Sequence, residues 1–504
     1  MTTISNTTTV LAIVPEVTEG VPVAPTSATQ YTPIQDDLAM KPNFDVNPNK
    51  ELVGSIAQRQ SILGAAKPTM SKSQYLKSSG VEGQAPDWSP ILEAAFGTKT
   101  VVSGTEEVTA ASSTVSTIKA TSGHGSNFAK GRLLLIKDGT NGYSLRFVDS
   151  VSTDDLSLSF NLANAPGTGV ALGKPVYYTV AQSGHKSHAF WQYLGNGGAI
   201  QMMSGGRITS LGMQITAGGL INCSVAGEGS DFYFNPIETT SSLRYIDFED
   251  DDGTFAAAVT AQMYHTPKEL CDSLATAMNA SGTTQTYTVT YSNTTGQVTI
   301  KGTGTLLSLL FATGTNTANT IATALGFTAT DKTGTAATTG YTGPALTFGA
   351  PQTPSYDDMQ PFAAKNNEIM IGDATDYTVF EASEIGFTLT DTRTVKPSIC
   401  AVSGIGGSLI TARSAKVTFK AFLDKYDVSK YDRYRENTST RFQYSFGNKV
   451  GTNWKAGQCG GLYLPTTTIT SFEVSNTNGV SVVSGELTTY VPADASGEVV
   501  LALA

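Results

Sequence analysis

The sequence predicts a mainly β fold of two similar sandwich-like halves, each with a short flanking helix, interrupted by an inserted all-β module and an inserted small α/β module. Three observations carry this reading. Period-two alternation recurs: Ala415, Val417, Phe419 and Ala421 alternate with Lys416, Thr418 and Lys420. Leu211, Met213 and Ile215 alternate in the same way and are answered across Gly218-Gly219 by Ile221, Cys223 and Val225. Such a pattern turns one row of side chains to a core and the other to solvent. Hairpin turn signals separate the runs, at Asp138-Gly139, Asp252-Gly253 and Asn478-Gly479. Helix punctuation is sparse and falls at similar places in the two halves. Ser89 as cap, Pro90 at the first turn and Gly97 at the end bracket one helix, and Ser429 with Asp432 opens the other.

Taken in order, residues 1–40 hold Pro15, Pro22, Pro25 and Pro33 and read as an extended arm or edge strand. Residues 41–68 have few large apolar groups and read as a long loop. We divide the rest at composition changes. Residues 1–104 are the first part of half one and 105–182 an inserted β module; 183–240 complete half one, 241–342 are an inserted α/β module, and 343–504 are half two. In the second insertion, Thr266-Pro267-Lys268-Glu269 is a capping box, and Leu270, Leu274 and Met278 mark one helix face. A second short helix near Thr320–Leu325 stops at Gly326, and residues 327–355 read as the linker out. Val499 to Leu503 reads as a final strand tied into a sheet.

Composition narrows the function. Of 504 residues only 15% are charged and 50 are glycine, a profile closer to structural β proteins than to cytosolic enzymes. The net charge of -10 argues against a general nucleic-acid clamp, which needs clustered Lys and Arg, but suits a surface over which DNA slides. The four cysteines lack CxxC or zinc spacing and read as free, buried thiols. No Lys or Arg precedes Lys41, so no secretory signal is expected, and no segment approaches the length of a membrane span.

Catalytic equipment is thin. Gly167 to Pro175 resembles a phosphate loop, but Pro175 stands where Ser or Thr is required. Asp247 to Gly253 departs from calcium-loop spacing and reads as a solvated hairpin tip, with calcium at Asp250–Asp252 as the alternative. His185 and His188 have HxxH spacing without an obvious third ligand and read as a polar pair at a subunit surface. With four histidines and no GxSxG, a Ser-His-Asp hydrolase has little to work with. We expect no enzymatic activity, no cofactor and no metal.

The arrangement resembles the major tail tube proteins of long-tailed bacteriophages. The resemblance rests on Leu38 to Asn49 with the loop to Pro68, Asp87 to Gly97, Gly205 to Met213 through Gly227, Glu384 to Leu389, Arg413 to Tyr434 and the final hairpins to Leu503. It implies a structural virion protein whose sheets join neighbours into rings that stack into a tube for genome delivery. With a duplicated unit the ring is a homotrimer with pseudo-sixfold symmetry, the alternative being a homohexamer. The resemblance further implies a tape measure protein in the lumen during assembly, tail terminator and distal tail proteins at the ends, and phage DNA in transit without sequence-specific binding. Assembly in the host cytoplasm and residence in the virion follow. The loop Asn47–Pro68 and its counterpart Thr394–Thr411 should reach the adjacent ring, which makes Arg59, Gln60, Lys67 and Ile405 inter-ring contact candidates. The insertions should sit outside, and the acidic balance predicts a lumen that repels DNA. Competing readings are a sheath or capsid decoration, or a β-modular cell-surface adhesin.

Overall fold

Period-two alternation becomes structure in two four-stranded antiparallel ladders of one design. A computed structural model describes all residues except 1–3, 5, 52–58, 138–142, 196, 336, 380, 424–428 and 492–497. It is mainly β, with 49% of residues in strands and 9% in helices. In the first ladder, strand Ala199–Thr216 pairs with Asn222–Glu228, which pairs with Thr69–Tyr75, which pairs with Ala39–Lys41. In the second, Asn453–Thr477 pairs with Val480–Thr489, which pairs with Ile405–Phe422, which pairs with Ala382–Pro397.

The two ladders agree in order, direction and register. Ser210, Ala226, Ser71 and Ala39 form one row across the first. Ser471, Glu486, Thr418 and Gly386 form the corresponding row across the second. Even the irregularity is shared, since a bulge falls between Ile208 and Ser210 and again between Ile469 and Ser471. Bulges re-aim a strand at a fixed point, so a matched pair fixes the alignment of the two copies.

The ladders are joined edge to edge within the chain. Strand Ala382–Pro397 pairs with Ala199–Thr216, setting Leu211 opposite Leu389, Met213 opposite Phe387 and Ile215 opposite Ile385. All six are buried, as are Val417, Phe419 and Leu487 further along. Each such side chain contributes about 1.5–3 kcal/mol on burial. The first part of Asn453–Thr477 belongs to a further run of strands, with Thr440–Val450 on one side and Val500–Leu503 on the other. Val176–Val180 and Gly97–Val101 extend that run beyond Val500–Leu503.

Helix α1 (Ser89–Phe96) has Trp88 as its N-cap, one residue earlier than expected. It ends at Gly97, whose φ of 88° lets its N–H reach the Glu93 carbonyl. A Cβ there would lie 2.7 Å from Ala181, so only glycine fits. Helix α2 (Pro267–Asn279) is capped by Thr266 and buries Leu270, Leu274 and Met278. Helix α3 (Ser429–Arg435) sets Tyr431 and Tyr434 against Phe472.

The chain forms two compact units, residues 1–12, 189–204 and 231–352 in one and the remainder in the other. The smaller unit has its own core, with Phe248, Tyr264, Leu270, Leu274 and Ile300 in one cluster. In the larger unit, the strands between Thr117 and Leu158 form a four-stranded sheet with its own core around Ile118, Ile136 and Leu156. Its other side is not independent, because Leu133, Leu145 and Phe147 share a core with Tyr463 and Val500.

Several expectations are corrected. Residues 1–40, expected as an extended arm or edge strand, hold the strand Val10–Pro15, in which Leu11 to Val14 are buried. Residues 41–68 contain a hairpin, Phe44–Asn47 against Ile62–Ala66. The counterpart loop is also a hairpin, in which Ala382–Pro397 and Ile405–Phe422 stay paired to Pro397 and Ile405. Residues 327–355 are not all linker, since Lys332–Thr335 and Tyr341–Ala345 are strands of the second insertion. Cys223, Cys271 and Cys459 are buried but Cys400 is exposed; all four are free. The expected turn Asp138-Gly139 lies outside the described residues.

Candidate functional site

The first candidate surface is the pair of outer edges of the eight-stranded ladder. Strand Ala39–Lys41 closes one end and residues 469–477 close the other. Among the described residues neither has a second ladder partner there. An unpaired edge offers a row of free N–H and C=O groups to another chain. These edges are the structural counterparts of the two strands already paired at the internal joint. Val474 occupies the position that Met213 holds at that joint. Met213 is 3% exposed, whereas Val474 is 52% exposed.

The second surface is the pair of extended hairpins. They meet at Ala66, whose N–H donates to the Ser403 carbonyl at 2.9 Å. A cluster of arginines holds the root of the longer one. Arg207 donates to Glu19 at 3.0 Å and to the Ser408 carbonyl at 3.0 Å, and Arg393 donates to Ser230 at 2.7 Å. Arg413 makes a paired contact with Asp391, its Nε donating at 2.7 Å. Arginine suits such partly buried roots because its planar fork satisfies several acceptors at once.

The expected contact residues divide. Arg59 and Gln60 are exposed, and Arg59 pairs with Glu51 at 2.8 Å. Lys67 is exposed and pairs with Asp45 at 2.8 Å. Ile405 is corrected: it pairs with Pro397 where the strands meet the turn, and at 7% exposure it is buried and presents no contact surface. The residues missed are apolar and lie at the turn, Ile399 at 104% and Val402 at 89% exposure. Val46, Ile62 and Leu63 are exposed on the shorter hairpin. Clustered exposed apolar groups mark an interaction surface. Two apolar residues within the Ser398–Gly404 turn were the available signal.

The chemical motifs resolve into structural roles. His188 is buried and His185 half-buried with its side chain largely covered, and burial lowers both imidazoles, that of His188 to about 3. Among the described residues no group of three or more His, Cys, Asp or Glu gathers around a possible metal position. The carboxylates of Asp250 and Asp252 share the Thr283 hydroxyl, while that of Asp251 turns to Thr305. Asp250 accepts from Tyr287 at 2.7 Å, Asp251 from Thr305 at 2.6 Å and Asp252 from the Thr284 N–H at 2.7 Å. Hydroxyl and amide donors thus occupy oxygens that a cation needs free. The stretch after Gly167 leads into strand Val176–Val180 rather than a helix, so a phosphate-binding helix terminus is missing there.

His265 was not singled out in the sequence. It stacks on Tyr233 and bridges Asp231 at 2.8 Å and Glu269 at 2.9 Å. Burial opposes its charge, but the two carboxylates outweigh burial and hold its pKa at about 10.

The solvent-facing side of the long ladder is polar and slightly concave, with a hollow of about 510 Å³ lined by Gly212, Gln214, Ser224, Thr418 and Lys420 among others. Both signs of charge occur there, and Lys416 pairs with Glu486 at 2.9 Å. No protein-family model matches this chain, and no curated protein matches it significantly. Among the described residues no helix is long and apolar enough to cross a membrane.

Proposed function

We propose that the chain is a structural subunit that joins copies of itself head to tail into closed rings, which stack into a tube. One observation carries this reading. Two matched ladders are paired edge to edge inside one chain, and the same two kinds of edge stand open at its outer ends. A head-to-tail contact that recurs at a constant angle closes into a ring. Closure also removes the exposed edges that otherwise invite aggregation.

Three chains, each carrying one joint inside and one at its end, give a pseudo-sixfold ring; a six-chain ring is the alternative. In this reading the polar side of the ladder lines the channel. Its Ser, Thr and Gly carpet with mixed, partly paired charges keeps passing DNA from adhering, more than net negative charge does. The two hairpins, through Arg59, Gln60, Lys67, Ile399 and Val402, contact the neighbouring ring. The assembly is the tail tube of a long-tailed bacteriophage virion, assembled in the host cytoplasm. A tape measure protein occupies its lumen during assembly, and terminator and distal tail proteins hold its ends.

Negative-stain microscopy of the purified protein, with mass photometry, tests this. Rings or tubes with an open centre and a three- or six-chain mass are expected. A monomer that persists at high concentration overturns the reading.

A further inference from the structure

We infer that the joint between protomers repeats the register of the joint inside the chain, so that Lys41 of one copy lies opposite Glu473 of the next. This rests on the ring reading and adds to it the residues that meet.

The register follows from ladder positions. The rows through Ser210 and Ser471 make Ala39 the counterpart of Gly386, and Ser471 that of Ser210. Inside the chain Gln214 faces Gly386, Met213 faces Phe387 and Gly212 faces Thr388. Replacing each residue by its counterpart sets Ser475 opposite Ala39, Val474 opposite Met40 and Glu473 opposite Lys41.

The side chains that this register brings together are complementary. Glu473 and Lys41 are opposite in sign and both exposed, and among the described residues neither has an ionic partner. Directly opposed charges stabilise an antiparallel pair. Val474 and Met40 fall on the side that is buried at the internal joint, where Met213 and Phe387 are covered. Pro42 follows at once and has no N–H to donate, so the added pairing ends where strand Ala39–Lys41 ends. A slip of one residue would turn Val474 to the solvent side. A slip of two would set Lys41 against Ser471 or Ser475 and leave Glu473 unmatched.

The test is cross-linking in the full chain carrying Cys400→Ser, which removes the exposed thiol. Lys41→Cys with Glu473→Cys should give covalent oligomers on mild oxidation or with a short bifunctional thiol reagent, because opposed Cβ atoms lie about 4.5–5.5 Å apart. The series should end at the subunit number of the closed ring. Lys41→Cys with Ser475→Cys, or with Ser471→Cys, should link poorly. Charge reversal provides the second readout. Lys41→Glu and Glu473→Lys should each lower ring formation about tenfold at low salt, and the double reversal should restore it. Rings that link only through Ser475 or Ser471, or that the double reversal does not rescue, overturn the register while leaving the ring intact. Unmodified protein that never forms rings overturns the ring and the register together.

Discussion

Lys72 shows what one residue costs when it departs from its repeat. Its counterpart in the second ladder is Phe419, a buried apolar group. Lys72 is equally buried, and its Nζ donates to the Pro33 carbonyl at 2.5 Å and to Gln74 at 2.9 Å. Burial lowers its pKa to about 7, with Asp37 and Asp87 opposing. The unfolded side chain titrates near ~10.4, so between about 7 and ~10.4 the unfolded chain holds a proton that the folded one does not. Stability therefore rises with pH across that window. Lys72→Met should remove this rise, so that the advantage of the variant below pH ~7 shrinks by up to ~4 kcal/mol by pH ~10.4. Urea denaturation of both proteins at several pH values measures it, and a pH-independent difference refutes the shift. Period-two reading placed Leu211, Met213, Ile215 and Cys223 on the buried side. It did not flag Lys72 or His188, because residue type argues for solvent and only tertiary neighbours override it.

At the level of elements, strong alternation and turn chemistry were legible, and weakly patterned hairpins were not. The turn Asn478-Gly479 has φ values of 54° and 83°, which Asn and Gly adopt readily, and Thr477 pairs with Val480 across it. Helix α2 was legible for a similar reason, since its cap and one apolar face are local signals. The two extended hairpins read as loops because their stability comes from cross-strand pairing, which no local window contains. Their exposed turn has a consequence that needs no mutation. Cys400 stands between Ile399 and Val402, whereas the other three cysteines are buried. A maleimide should modify one thiol per chain in the free protomer, and stacking of rings through this hairpin should protect it. Mass spectrometry of labelled protomer and labelled tube distinguishes the states. Equal labelling in both would place the hairpin outside the ring-to-ring contact.

For the whole molecule, the informative comparison is between two joints of one geometry, one closed within the chain and one open at its ends. The sequence carried a hint of this in the repeated Ile-Thr-Ser of Ile208–Ser210 and Ile469–Ser471, which bracket the matched bulges. Alternation alone did not reveal the register, because it specifies which face a residue takes and not which strand it meets. The same substitution should therefore have different effects at equivalent positions. Met213→Ala empties a covered site in the internal joint and should cost about 2–5 kcal/mol of protomer stability. Val474→Ala removes a side chain that solvent already reaches and should change the isolated protomer by less than ~0.5 kcal/mol. In the assembled state the order reverses in importance, because Val474 then acquires the burial that Met213 has from the start. Val474→Ala should accordingly raise the concentration needed for ring formation while leaving the urea midpoint of the dilute protomer in place. Paired urea titrations and mass photometry over a concentration series read both quantities. A large loss of protomer stability at Val474 would mean that this edge is already covered within the chain, and the open-edge account of assembly would fail.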